Sequence, residues 1–458
     1  MIYRTHPYTA VDFVFGFSLV AAASFVRRLV SREQSTSAAA MELAVLLLIL
    51  TLAFLKCGKT LTITHDKLFI EHRRPVTLKR SVDRKNIVML SERSNPFMRI
   101  FNVKKFTVFP AYERKNGTSF FFTKNQGGQV IRNLIEKPFD FCFKCKNKFI
   151  IISAFAGTDT LSGIILFAAA VNKAGKILGE EYVYGALNNI NRFHLFFIAE
   201  PLLAAVSSFI ILATAFAVIY RLVRNYGFSV SAGSKTASVS GGAVIKRKDY
   251  VFLKNVSFLQ TESSFLQRCI NCITVKLKFD LKPKVRSLTL VPAMERKDLK
   301  KLLSVFTEYS ENGSQCIELK PRQTAVFGFS LLPCAVLFPT VLILLAVNLL
   351  CSGFEVLTVF LLGAVFLELL WLMFRLELPK RVGAVLCGET VVIKTSKRLT
   401  IYESILARNK ITAVTVSQNP FQKISGMCAV SFYINSHRLD IKNLKLTDAA
   451  VFAEKLKR

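Results

Sequence analysis

Six apolar runs, each near the length that crosses a bilayer, constrain this chain more than any other feature. They lie at about Tyr8–Val26, Ala38–Leu55, Phe149–Val171, Ile198–Tyr220, Ala325–Leu350 and Phe354–Phe374, and a helix needs ~20 residues to span the hydrocarbon core. The runs come in three pairs. Only Cys351, Ser352 and Gly353 separate the last two, which leaves room for a helical hairpin and little else. One such run alone would read equally well as a buried core helix; six in pairs predict six spans. The first run lacks a short basic leader and a clear cleavage site, and is read as a retained span.

Charge fits the same picture. The chain has 458 residues, 52% of them hydrophobic, 40 Phe, and a formal net charge of +32. An apolar chain that is also strongly basic suggests spans alternating with basic cytoplasmic segments. From Lys56 to Ile150 there are 21 basic residues against 7 acidic, from Arg221 to Gln323 19 against 8, and from Arg375 to Arg458 15 against 6. The positive-inside tendency places these three segments, and both termini, in the cytoplasm. Arg27, Arg28 and Arg32 in the first short loop run against it. Most of the ten Cys fall in spans or in segments assigned to the reducing cytoplasm, so no disulfide is expected.

Each pair of runs precedes one copy of a repeated sentence: SNPFMRIFN at Ser94–Asn102, SSFLQRCIN at Ser263–Asn271 and QNPFQKISG at Gln418–Gly426. They align without gaps. Asn95, Ser264 and Asn419 share a column, as do Phe97, Leu266 and Phe421, and Arg99, Arg268 and Lys423. Ile87, Val256 and Ile411 extend the match upstream. The offsets, 169 and 155 residues, are too long for a solenoid and suit a whole module copied twice. The division that follows is a first hairpin at 1–57, a module at 58–148, a hairpin at 149–220, a module at 221–323, a hairpin at 324–376 and a module at 377–458.

Within the modules short β-patterns dominate. Leu61–Thr64 and Lys67–Ile70 flank a turn at His65-Asp66, and Asn116-Gly117 sits between Phe106–Phe109 and Ser119–Phe122 as a hairpin signal. Similar runs occur at 237–239, 273–277 and 287–290, and at 390–393, 399–401 and 429–434. Each copy closes with an amphipathic helix, at Gln129–Lys137, Glu295–Tyr309 and Thr447–Lys457. Many short strands closed by one helix describe a small β-barrel with a helix plugging one end.

These residues resemble the second-type bacterial pleckstrin-homology (PH) domain of YdbS/YdbT-like membrane proteins, over nearly the whole chain. The resemblance rests on Tyr3–Pro7 before the first run, Tyr226–Val230 after the fourth, and the Asn95–Arg99 and Asn419–Lys423 stretches. Where the family pattern has Gly, only Gly426 keeps it; Asn102 and Asn271 replace it, and Asn tolerates positive φ next best. Phe265 replaces Pro96 and Pro420, which questions the middle turn. The resemblance implies PH-like barrels, an integral membrane location, a prokaryotic source and no defined activity. It also suggests a smaller related PH-domain membrane protein as partner, and a part in envelope stress or bacteriocin tolerance.

Catalytic patterns are missing. The five His, at 6, 65, 72, 194 and 437, include no HExxH pair, and neither a Walker A sequence nor GxGxxG occurs; no enzyme, cofactor or metal is expected. Cys269 and Cys272 have CxxC spacing but share columns with Ile100, Ile424, Val103 and Met427, so both are assigned to core packing. Cys142 and Cys145 sit beside the third run, where acylation is the alternative to packing. Asp159 and Glu368 fall within runs, where an ionisable group marks either an inter-helix hydrogen bond or a polar path. The basic clusters Arg73-Arg74, Lys104-Lys105, Lys246-Arg247-Lys248 and Lys397-Arg398 either set topology or meet anionic lipid of the inner leaflet. Nucleic acid is not expected, since no recognition motif accompanies the charge. The reading is a non-enzymatic membrane scaffold with three PH-like modules; the alternative is a transporter or export accessory using Asp159 and Glu368.

Overall fold

The computed structural model describes residues 1–9, 59–72, 77–111, 117–135, 141–156, 201–279, 286–306, 316–322, 325–350, 355–397 and 399–457, with 48, 51, 139 and 185. The chain forms two compact units, one mainly residues 1–154 and 159–255, the other mainly 256–280 and 284–458. Both combine antiparallel sheets with capping helices.

In the first unit, β1 (Ile2–Arg4), β2 (Lys59–Ile63), β3 (Lys67–His72) and β4 (Leu78–Asp83) form one sheet in that order. β1 precedes the first expected pair of spans, and its three residues pair with β2 after it, Tyr3 opposite Leu61. A 3-10 turn at Arg84–Asn86 then leads into β5 (Ile87–Ser94). The short helix α1 (Pro96–Ile100), β6 (Val103–Pro110), β7 (Thr118–Thr123) and the capping helix α2 (Lys124–Leu134) follow. Tyr3, Phe106, Phe120, Phe122, Val130 and Leu134 share one core. The sequence pattern recurs in β8 (Phe141–Lys144), α3 (Asn147–Ala156), α4 (Pro201–Asn225), β9 (Ser229–Ala232), β10 (Thr236–Gly241) and β11 (Lys246–Phe252). β11 does not end this sheet. It pairs with β5, Lys246 opposite Ser94 and Asp249 opposite Ser91, so seven strands run β7-β6-β5-β11-β10-β9-β8.

The second unit repeats the plan. It contains β12 (Val256–Ser264), α5 (Phe265–Cys269), β13 (Cys272–Phe279), β14 (Arg286–Glu295) and α6 (Arg296–Phe306). Next come β15 (Ile317–Leu319), α7 (Val326–Leu350), α8 (Glu355–Arg381), β16 (Gly383–Cys387), β17 (Thr390–Lys397) and β18 (Thr400–Ala407). β19 (Ala413–Ser417), α9 (Pro420–Ile424), β20 (Met427–Ile434), β21 (His437–Lys445) and α10 (Leu446–Lys457) complete it. β18 joins β12 as β11 joins β5. Phe329 of α7 and Phe374 and Leu378 of α8 enter the core beneath Phe432 and Phe452, so both helices are rooted in the sheet unit.

Among the described residues two helices, not six, are long and apolar enough to cross a membrane: Ser208–Asn225 and Gly328–Leu349. Apart from residues 8, 9, 48 and 51, the expected spans Tyr8–Val26 and Ala38–Leu55 lie outside the described residues, as does most of Phe149–Val171. The sixth expected span falls on α8, a 27-residue helix whose length includes Glu368, Arg375 and Glu377. Cys316 and Cys387 form a disulfide, which overturns the expectation of none; the antiparallel pairing of β15 with β16 brings them together.

Candidate functional site

The repeated sentence folds the same way three times, and its cap, proline and positive-φ columns each have a physical job. Asn95 Oδ1 accepts the Met98 N–H at 2.7 Å, Ser264 Oγ accepts that of Gln267 at 3.3 Å, and Asn419 Oδ1 accepts that of Gln422 at 2.7 Å. These are N-caps, and they start α1, α5 and α9. Pro96 and Pro420 occupy the first helical position, which suits a residue without an N–H; Phe265 fills it without loss of the turn. Asn102, Asn271 and Gly426 all have positive φ, at 54°, 57° and 64°. Their carbonyls accept the N–H of Lys124, Arg296 and Leu446, at the starts of α2, α6 and α10. The sentence is therefore a small helix with both ends fixed, which also seats the capping helix.

The basic column meets other elements in the first two copies and is exposed in the third. Arg99 Nη2 donates to the Val244 carbonyl at 2.5 Å. Arg268 lies 4.7 Å from the Phe374 ring and 3.7 Å from the Glu377 carboxylate, near the end of α8. Gln422, beside the exposed Lys423, donates to Asn443 Oδ1 at 3.5 Å. Asn443 packs so closely on Gly328 of α7 that a methyl there would meet Nδ2 at 2.7 Å.

In the first unit a cleft of about 690 Å³ opens between α1, β6 and the β10–β11 hairpin. Six basic side chains line it, Arg99, Lys104, Lys124, Lys246, Arg247 and Lys248, against one carboxylate, Glu92. The β5–β11 pairing is what brings Lys104 and Lys246 to one wall. Tyr226 and Gly227, just past α4, form its far edge. The hairpin loop is tied to that helix end, since the Gly242 N–H donates to the Tyr226 carbonyl at 2.8 Å and the Ala243 N–H to that of Val223 at 2.9 Å. Gly242 has φ +108°, and a Cβ would lie 2.1 Å from the Ile245 carbonyl oxygen.

Two of the six charges are committed locally. Lys104 is bonded to Glu92, and Arg247 Nε lies 3.0 Å from the buried Asp249, which accepts the Ser91 hydroxyl at 2.6 Å. Burial lowers the Arg247 pKa, Asp249 raises it, and Arg224 and Arg93 lower it; an arginine so placed remains a cation. Lys248 lies 5.1 Å over the Tyr250 ring. Burial and Glu92 push the Tyr250 hydroxyl up, so it stays neutral. Arg99, Lys124 and Lys246 are exposed and point the cleft's field at solvent. The matching columns of the second unit are different in charge: Ile401, Tyr402 and Glu403 stand where the first has Lys246, Arg247 and Lys248. Glu403 is held there by Arg296 at 3.2 Å and Lys394 at 3.1 Å.

Of the expected clusters, Lys104, Lys246, Arg247 and Lys248 meet in the cleft, while Lys105 lies over the Phe121 ring at 5.1 Å. Lys397 is exposed at the end of β17. Arg73, Arg74, Arg398 and Asp159 lie outside the described residues, as do the side chains of Leu266 and Phe421. Glu368 Oε1 accepts the Thr340 hydroxyl of the neighbouring helix at 3.1 Å. Cys272 is buried, but Cys269 is exposed. Its assignment to the core fails because its column, with Ile100 and Ile424, points away from the sheets. Sequence reading missed Arg99 as a cleft residue and the hairpin loop 242–245; the glycine pair Gly241-Gly242 before a basic run was the signal available. Among the described residues no group of three or more His, Cys, Asp or Glu could hold a metal. In comparison with known proteins, the chain matches no family model and no curated protein.

Proposed function

We propose that this chain is an integral membrane scaffold of a prokaryotic cell membrane, built from three repeats of a helical hairpin and a PH-like module. The modules lie on the cytoplasmic face, and the cleft beside Arg99 and Lys246 takes the headgroup of an anionic lipid. The observation that carries this reading is that six basic side chains converge on a cleft whose edge is the end of α4, one of two helices among the described residues apolar enough to span. A basic surface at a span's end sits where a negative leaflet adds ~1 kcal/mol per lysine or arginine. α7 supports the membrane part: most of its described large apolar side chains are exposed although it packs along α8, and a helix apolar all round needs either protein or lipid about it. A smaller PH-like membrane protein remains the proposed partner. The Thr340–Glu368 hydrogen bond supports an inter-helix contact over a transport path.

The test uses the full chain in nanodiscs. The wild type should bind discs containing phosphatidylglycerol or cardiolipin headgroups in preference, read by lipid co-purification and native mass spectrometry. K246E/K248E should lose that preference and keep its fold. Equal lipid composition around wild type and variant would overturn the reading.

A further inference from the structure

The repeated sentence holds one column that its fold leaves unexplained. Ile100, Cys269 and Ile424 occupy the outward side of α1, α5 and α9, Ile100 at 76% and Ile424 at 89% exposure, with Cys269 exposed as well. The next column adds Phe101 at 54% and Ile270 at 50%. Apolar residues scattered singly on a surface need no account. An apolar residue at the same outward position of three copies does, because the structural work of the sentence is done by its cap, proline, basic and positive-φ columns.

Each of these helices is held beside the end of an expected span. The Phe101 ring lies 5.6 Å from that of Tyr8, where the first apolar run begins. Arg99 binds the Val244 carbonyl, in the loop fastened to the end of α4. Arg268 rests on Phe374 near the end of α8. Gln422 reaches Asn443, which packs on Gly328 in the first turn of α7. Strand direction agrees: β1 runs toward Tyr8, so the β2–β3 turn at His65-Asp66 lies at the opposite end of its sheet. Val244 and Ile245 add exposed apolar surface at the same end as α1.

We propose that α1, α5 and α9 are interfacial wedges, whose apolar columns are seated in the outer layer of the lipid leaflet from which the spans emerge. The occupant is the bilayer itself. An apolar tip beside a basic one is the composition that lies in a lipid interface, the first in the acyl boundary and the second among headgroups; Arg99 and Lys423 supply an exposed basic neighbour in two copies, while in the middle copy Arg268 is turned to Phe374 and Glu377. The inference rests on the membrane reading above but not on the cleft.

A single-tryptophan series tests it. The chain's one Trp is replaced (W371F), and a Trp is placed at Ile100, Ile424 or His65 (I100W, I424W, H65W) in the full chain. Each variant is reconstituted into phosphatidylcholine vesicles, with or without lipids brominated near the headgroup end of the acyl chain. The expected result is a blue shift and loss of emission with brominated lipid at 100 and 424, and quenching by aqueous iodide but not by bromine at 65. Iodide access at 100 and 424 equal to that at 65 would overturn the wedge, and so would protection from both quenchers, which would mean a protein covers the column. Failure of the chain to resist alkaline carbonate extraction would instead overturn the membrane reading itself. Neutral lipid keeps the test separate from the cleft's preference for anionic headgroups.

Discussion

Arg247 and Asp249 lie on one face of β11, two residues apart, and stabilise the wall of the basic cleft. The Asp249 side chain is 4% exposed, with Arg247 Nε at 3.0 Å and Ser91 Oγ at 2.6 Å. Arg247→Met keeps the apolar stem and deletes the charge. Asp249 is then a buried carboxylate with one hydroxyl donor, and loss of one partner from such a pair costs ~3–5 kcal/mol. The hydroxyl bond remains, so the low end applies, ~3 kcal/mol. Removing both charges in R247M/D249L deletes the uncompensated ion, and such apolar replacements are often neutral or stabilising. The double variant should therefore recover most of the loss.

The assay is amide hydrogen exchange in β5 and β11 of the full chain in nanodiscs, which reads local opening without requiring a two-state unfolding of the whole protein. At 1.4 kcal/mol per tenfold, R247M should speed exchange at Tyr250 and Val251 by about a hundredfold. Acceleration below about tenfold, or exchange in R247M/D249L as fast as in R247M, would refute the reasoning. Either outcome would mean that Asp249 is not an isolated ion without its partner.

Three further outcomes follow from geometry. Gly242→Ala puts a methyl 2.1 Å from the Ile245 carbonyl oxygen at φ +108°, which should cost ~1–3 kcal/mol or more and raise exchange of the Ala243 amide. Asn102→Ala, at φ 54°, should lower stability by ~1–2 kcal/mol, while Asn102→Gly should be neutral or stabilising; thermal melts of the pair in nanodiscs decide it. If the modules lie in the cytoplasm as proposed, the Cys316–Cys387 disulfide of the structure should be open in growing cells, and acid-trapped samples should alkylate at both Cys before any reductant is added. A pair that alkylates only after reduction would place the second unit in an oxidising compartment and invert the orientation.

Much of the fold was legible from alternation alone. The strands read at 67–70, 106–109 and 429–434 fall inside β3, β6 and β20, and the one read at 61–64 overlaps β2 (Lys59–Ile63), because each is partly buried and apolar on its inner face. β1, β8 and β15 were not legible. They are three or four residues long, too short for a period, and β1 pairs across more than fifty intervening residues. The cleft was half legible. The clusters at 104 and 246–248 stood out as charge, but their meeting depends on the β5–β11 pairing, which no local pattern encodes. The column of Ile100 and Cys269 misled for a related reason: a repeated apolar position is not by itself evidence that the residue lies in the protein's own core.

The same pairing changes what counts as a unit of this chain. A division at each pair of runs follows the sequence repeat, yet hydrogen bonds cross it twice in the same way. β5 takes β11 from the following repeat as its neighbour, and β12 takes β18. β8 and β15 each precede the helices after which their sheet continues, and β1 lies before the first pair of apolar runs. A fragment covering 58–148 would lack β1, which brings Tyr3 to the core, and would bare the β5 edge along which six residues of β11 are paired. Unpaired edges invite association with other chains, so such a fragment would measure an exposed edge rather than the module's surface. The cleft would also be gone, because its walls come from two repeats. Triplication here builds sheets that bridge neighbouring copies, and the basic site belongs to such a bridge rather than to any single copy.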